Sequence, residues 1–123
     1  MSYLTPRKRA RALGASGGGT EHHWHTIVTS IMLCGLIPLF IVTFGSILGR
    51  PYEGVVAALA RPFPAVVIGL TLIVSLIHFR NGVQVVLEDY AHGFPRKAMV
   101  IAAVCATYTI LAVGLLAVAR LAF

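Results

Sequence analysis

Charge is scarce in this chain: 11% of its 123 residues are Asp, Glu, Lys or Arg, whereas 58% are hydrophobic. That balance excludes an ordinary soluble domain, because a chain this short cannot bury so much apolar surface inside itself. A membrane is the natural solvent. Acids are scarcest, four against ten Lys and Arg, and the net charge is +6. The basic residues cluster at the ends of apolar runs and do not interleave with aromatics, which excludes nucleic acid as a partner. Cysteine is rare as well. Cys34 and Cys105 each lie inside an apolar run, where a thiol behaves as a small hydrophobe, so neither reports on redox compartment. Internal repeats are absent, and the one low-complexity piece is the Gly/Ser stretch from Gly14 to Gly19, which reads as a flexible lead.

What remains is three long apolar runs. A bilayer core of about 30 Å needs roughly 20 apolar residues at 1.5 Å per residue. Helices are expected over about 27–49, 65–87 and 98–121, within a three-helix membrane domain spanning 27–123. Residues 1–26 form a basic N-terminal segment. Pro38 lies inside the first run, where a kink is tolerated. The second is entered through Arg61-Pro62-Phe63-Pro64, where prolines suit a first helical turn. No removable leader is expected, since the first apolar run starts late and is too long for one.

Orientation follows from Lys and Arg, which accumulate in short cytoplasmic loops. Arg7, Lys8, Arg9, Arg11, Arg96 and Lys97 fall on one side, and Arg50, Arg61 and Arg120 on the other. The expected architecture is an all-α, multi-pass membrane protein with a cytoplasmic N-terminus and a periplasmic C-terminus.

The second run ends in "HFRNGVQVVLEDY", His78 to Tyr90. An ionisable group about 20 Å into a membrane helix costs a few kcal/mol and marks either a functional site or a buried partner. The plain alternative is a neutral His78 bonded to a carbonyl of a neighbouring helix. Gly82, one turn on, removes the side chain that would obstruct a large flat ligand on the same face. Asp89 returns to within about 20° of His78, and Tyr90 points about 120° away. Histidine is a common axial ligand of haem iron.

His78, Gly82, Gln84, Asp89 and Tyr90, followed by His92-Gly93 and preceded by "GTEHHWH" at Gly19 to His25, resemble the small D-type cytochrome b membrane anchor of succinate dehydrogenase, respiratory complex II, in its alphaproteobacterial form. The resemblance covers essentially the whole chain. It implies a subunit that does no succinate chemistry of its own but serves succinate:ubiquinone oxidoreductase, an enzyme of the tricarboxylic acid cycle and electron transport, in the inner membrane. His78 is then one axial ligand of haem b, with Gly82 and Arg80 packing near it. Tyr90, with Asp89 beside it, binds ubiquinone. The implied partners are a second cytochrome b anchor subunit bringing the other histidine, an iron-sulfur subunit, a flavoprotein subunit and membrane lipid.

Many such anchors carry an arginine early in helix one, and Thr26-Ile27-Val28-Thr29-Ser30 has none. Arg80 either supplies that charge to haem propionates or snorkels to headgroup phosphates. His22, His23 and His25 lack a sulfur ligand and sit beside Trp24, an interfacial residue, which weighs against a metal site. Glu88 reads as a solvated acid or a contact to soluble subunits. Two alternatives stay open: a quinol:fumarate reductase anchor, and a non-redox three-helix accessory subunit.

Overall fold

The computed structural model describes residues 5–7 and 18–123. The basic residues Lys8, Arg9 and Arg11 and the start of the Gly/Ser stretch, Gly14 to Gly17, lie outside the described residues. The fold is all-helical, with four helices among the described residues: α1 (Gly18–Gly45), α2 (Tyr52–Leu59), α3 (Pro62–Tyr90) and α4 (Gly93–Ala122). Three stretches, Thr20–Gly45, Pro62–Tyr90 and Gly93–Ala122, are long and apolar enough to cross a membrane, the mean hydropathies of their apolar 18-residue windows being 2.4, 2.0 and 2.3. At 1.5 Å per residue each exceeds the roughly 30 Å hydrocarbon core, so their ends reach the interfacial layers.

The helices run further than hydropathy alone suggests, except at the C-terminus of α1, which stops at Gly45, four residues short of the expected Gly49. α1 begins about nine residues before Ile27 and continues unbroken past Pro38. α3 starts at Pro62, where a missing N–H costs nothing. Helix α2 has no counterpart in the sequence reading. It is eight residues long, opens after Pro51, buries Ala58 and packs on α3 and α4. Eight residues are too few to span, so a hydropathy scan merges them into the connecting segment.

α3 is central. It packs on α1 along one side and on α4 along the other, and α1 and α4 make no close approach to one another. Val67, Thr71, Val74, His78 and Asn81 follow the three- and four-residue spacing of one helix stripe, and all but the half-buried His78 are buried. The α4 contact uses other positions. A methyl at Gly114 would collide with the Leu72 side chain, and one at Gly69 would touch Val118. Gly114 is therefore where the Leu72 side chain lies against the α4 backbone.

The interior is more polar than the exterior. Thr29, Thr43, Thr71, Asn81 and Thr107 are buried, whereas Ile31, Ile41, Val42, Val66, Ile101 and Val113 are well exposed. In lipid this is the stable order, because apolar side chains gain little by hiding from other apolar groups and small residues allow close packing. Three of those threonines return their hydroxyl hydrogens to their own helices, Thr29 to His25, Thr71 to Val67 and Thr107 to Ala103. Antiparallel entry into α4 is made by Ala91 and His92, both extended, and Gly93 at φ +68°. The left-handed region there suits glycine.

Candidate functional site: a histidine on an open groove and an exposed tyrosine

His78 faces α1. Its Nδ1 lies 2.9 Å from Thr29 Oγ1. The Thr29 oxygen also stands 2.9 Å from the His25 carbonyl and 3.0 Å from the Thr26 carbonyl. A hydroxyl has one hydrogen and two lone pairs. The arrangement that uses every group has the Thr29 hydrogen on its own helix's carbonyls and the His78 Nδ1–H donated to Thr29. The neutral ring then keeps its lone pair on Nε2. His78 is thus bonded to a neighbouring helix, through a side-chain hydroxyl rather than a carbonyl, and this bond presents the ring as a ligand.

The ring borders two shallow grooves. One, about 360 Å³, runs along α3 past Phe79, Gly82, Val83, Val86 and Leu87. The other, about 550 Å³, runs along α1 past Ser30, Leu33, Cys34, Ile37 and Pro38. Gly82 keeps the first groove flat, since a Cβ there would meet nothing within 4 Å and would project into open space. No group of three or more His, Cys, Asp or Glu side chains able to hold a metal ion occurs among the described residues. A bare ion needs more donors than one imidazole. A flat apolar macrocycle that brings its own equatorial nitrogens does not, and the single donor beside a flat groove fits such a group.

The remaining predicted residues lie elsewhere. Arg80 is not brought to the grooves. It extends toward α4, where its guanidinium donates to the Tyr108 hydroxyl at 3.0 Å and lies 5.7 Å from that ring's centre. Tyr90 ends α3 and is 85% exposed, with Asp89 exposed beside it. Twelve residues of helix separate Tyr90 from His78 by about 18 Å. Glu88 accepts from Gln84 at 3.0 Å and pairs with Arg96 at 3.7 Å across the α3–α4 turn. His22 is half-buried and His23 and His25 are exposed on the first turns of α1. Cys34 and Cys105 are free and exposed on helix surfaces.

Two residues of consequence carry weak sequence signals. Thr29 sits in the stretch Thr26 to Ser30 that lacks an arginine, and only its four-residue spacing from buried Leu33 separates it from Ser30. Tyr108 lies mid-helix among apolar residues, with no local mark of its contact to Arg80.

These observations meet an independent comparison. The family model for the succinate dehydrogenase/fumarate reductase transmembrane subunit matches residues 1–118. The chain belongs to that family. It is also similar to the succinate dehydrogenase hydrophobic membrane anchor subunit of Paracoccus denitrificans, at 38% identity over 121 residues, which is 98% of this chain and 94% of the relative. No solved structure matches. The molecule is therefore a membrane anchor subunit of this enzyme family, and it works within a complex of several subunits.

Proposed function

We propose that this chain is the small anchor of a succinate:ubiquinone oxidoreductase, supplying one axial ligand to haem b through His78 Nε2 and one hydrogen-bond donor to ubiquinone through Tyr90. The observation that carries the first half is the Thr29–His78 bond, because it leaves Nε2 as the free nitrogen beside two grooves, the one along α3 kept open by Gly82. When bound, the haem supplies a one-electron carrier within the membrane. This chain's part is to hold the imidazole in one tautomer, to fix its plane between α1 and α3, and to exclude water with Leu33, Ile37, Val83 and Val86. A haem held there would need a second protein donor for its iron. His78 is the one histidine of this chain well inside a span, so that donor belongs to a partner anchor subunit.

Tyr90 acts at the C-terminal end of α3. Its phenol stands where an amphipathic ring is comfortable and where an iron-sulfur subunit docks, and its O–H donates to a quinone carbonyl whose negative charge grows as electrons arrive. Asp89 is the nearest carboxylate to pass a proton. Electrons reach the quinone from a flavoprotein through the iron-sulfur subunit. The Lys and Arg bias sets Tyr90 at the cytoplasmic face of the inner membrane and Phe123 at the periplasmic face, and a reporter fused after Phe123 that is active in the periplasm checks it.

The deciding experiment is His78→Leu in the purified complex. Its dithionite-reduced minus oxidised spectrum should lose the b-type haem bands or show sharply reduced haem content. Unchanged bands would return His78 to a structural hydrogen-bonder.

A further inference from the structure

A second functional surface lies on the opposite side of α3. Arg80 is held between α3 and α4, and its Nε is buried without a hydrogen-bond partner among the described residues. Tyr108, its neighbour, is fifteen residues into a thirty-residue helix, about 22 Å from the α3–α4 turn. The guanidinium thus sits near the middle of the membrane. It also leans toward the α3 N-terminus, as helical side chains do, and so away from the nearer interface. Snorkelling would run the other way.

Arginine stays protonated at any physiological pH, and an uncompensated charge at this depth is costly. The Tyr108 hydroxyl and ring face offset part of that cost. A full counter-charge cannot come from this chain. Its four acids are Glu21, Glu53, Glu88 and Asp89, and all stand in the first turn or at the last residues of their helices. For the same reason a second copy of this chain cannot supply it. The grooves at His78 do not include Arg80 either. Yet the surface around Tyr108 is open: Ile101, Cys105 and Ala112, which share its face by helical spacing, are all exposed.

We propose that the Arg80–Tyr108 face of α3 and α4 docks a transmembrane helix of a different subunit, one that presents an Asp or Glu near mid-membrane. The carboxylate accepts from the guanidinium while Tyr108 holds it in place. Cys105 and Ala112 are small enough for the incoming backbone to approach closely. The inference does not depend on the haem or quinone assignments, since it uses neither His78 nor Tyr90.

The test is Arg80→Lys in the complete complex in native membranes, treated with dicyclohexylcarbodiimide, which enters the bilayer. The reagent adds to the carboxyl group to give an acylisourea. The lysine amine then attacks the acyl carbon, an amide bond forms, and dicyclohexylurea leaves. The expected result is a covalent product of this chain with a second subunit, absent from the wild type and joined at an Asp or Glu of a membrane span. An assembled variant complex that yields no such product overturns the proposal. So does loss of a co-purified anionic lipid in place of a cross-link, which would assign the guanidinium to a headgroup phosphate. Should Arg80→Lys fail to assemble, Tyr108→Lys under the same treatment, with Arg80 retained, gives the same two readings.

Discussion

The two ends of the α3 sequence His78 to Tyr90 are built in opposite ways. His78 is half-buried, bonded across to α1 and flanked by grooves belonging to two helices. Tyr90 stands 85% exposed on the last turn. The first group has its support inside this chain, and the second makes little contact with it. A ligand that must be aimed, such as an imidazole nitrogen, needs a fixed ring, whereas a donor to a substrate that comes and goes can take its final geometry from a partner. Replacing either residue should therefore fail in a different currency: His78 in cofactor content, Tyr90 in turnover.

The largest effect that sharpens this contrast, beyond loss of haem in His78→Leu, is expected at Tyr90. Tyr90→Phe should lower succinate:quinone turnover by about 10²-fold, the scale of a lost oxyanion donor, while haem content and succinate oxidation with an artificial acceptor stay near normal. Wild-type quinone reduction by an assembled, haem-replete variant would make Tyr90 an interfacial tyrosine only. The measurement separates the two ends because the spectrum reads one and the quinone assay reads the other.

Next comes the support of His78. Thr29→Val removes the acceptor of the Nδ1 hydrogen but keeps the shape, and second-layer partners of metal-bound histidines commonly contribute 10- to 100-fold in affinity. Haem retention during purification should fall roughly 10-fold, and the midpoint potential of what remains should rise, because a ring that no longer donates from Nδ1 stabilises oxidised iron less. Thr29→Ser should restore both. Equal retention and potential in Thr29→Val would show that packing alone aims the ring.

That distinction also marks what the sequence makes legible. Long apolar runs announce three spans because a bilayer imposes their length, and His78 stands out because ionisable groups are expensive there. Gly82 is visible for its position one turn away. Thr29 and Tyr108 are not, since their importance rests on contacts between helices 49 and 28 residues apart in sequence, and neither residue type is unusual in a span. Arg80 is conspicuous in the sequence, yet which face it serves depends on how α3 is rotated between α1 and α4. Helix α2 escapes for a further reason: eight residues carry too little pattern to stand out from a loop.

A smaller effect tests the turn that positions the Tyr90 end. Gly93 opens α4 at φ +68°, where a side chain costs about 1–2 kcal/mol. Gly93→Ala should lower the thermal stability of the complex and move Tyr90 and Asp89 relative to their partner subunits, raising the apparent KM for quinone while leaving the haem spectrum unchanged. A disturbed spectrum would mean that the two ends of α3 are coupled, and that the contrast between them is one of degree.

The smallest effect is expected at the salt bridge beside Tyr90. Glu88 and Arg96 approach to 3.7 Å with side chains 41% and 45% exposed, and such surface pairs contribute about 0–1 kcal/mol. Glu88→Gln keeps a hydrogen-bonding group next to Gln84 and removes the charge. If Glu88 only ties α3 to α4, the substitution should change neither haem content nor quinone turnover beyond roughly twofold, and raising the salt concentration in the wild type should have as little effect. A loss of the iron-sulfur subunit from Glu88→Gln complexes during purification in high salt would show instead that this carboxylate faces a partner. The Tyr90 end would then owe its geometry to docking through Glu88 as well as through its own exposure.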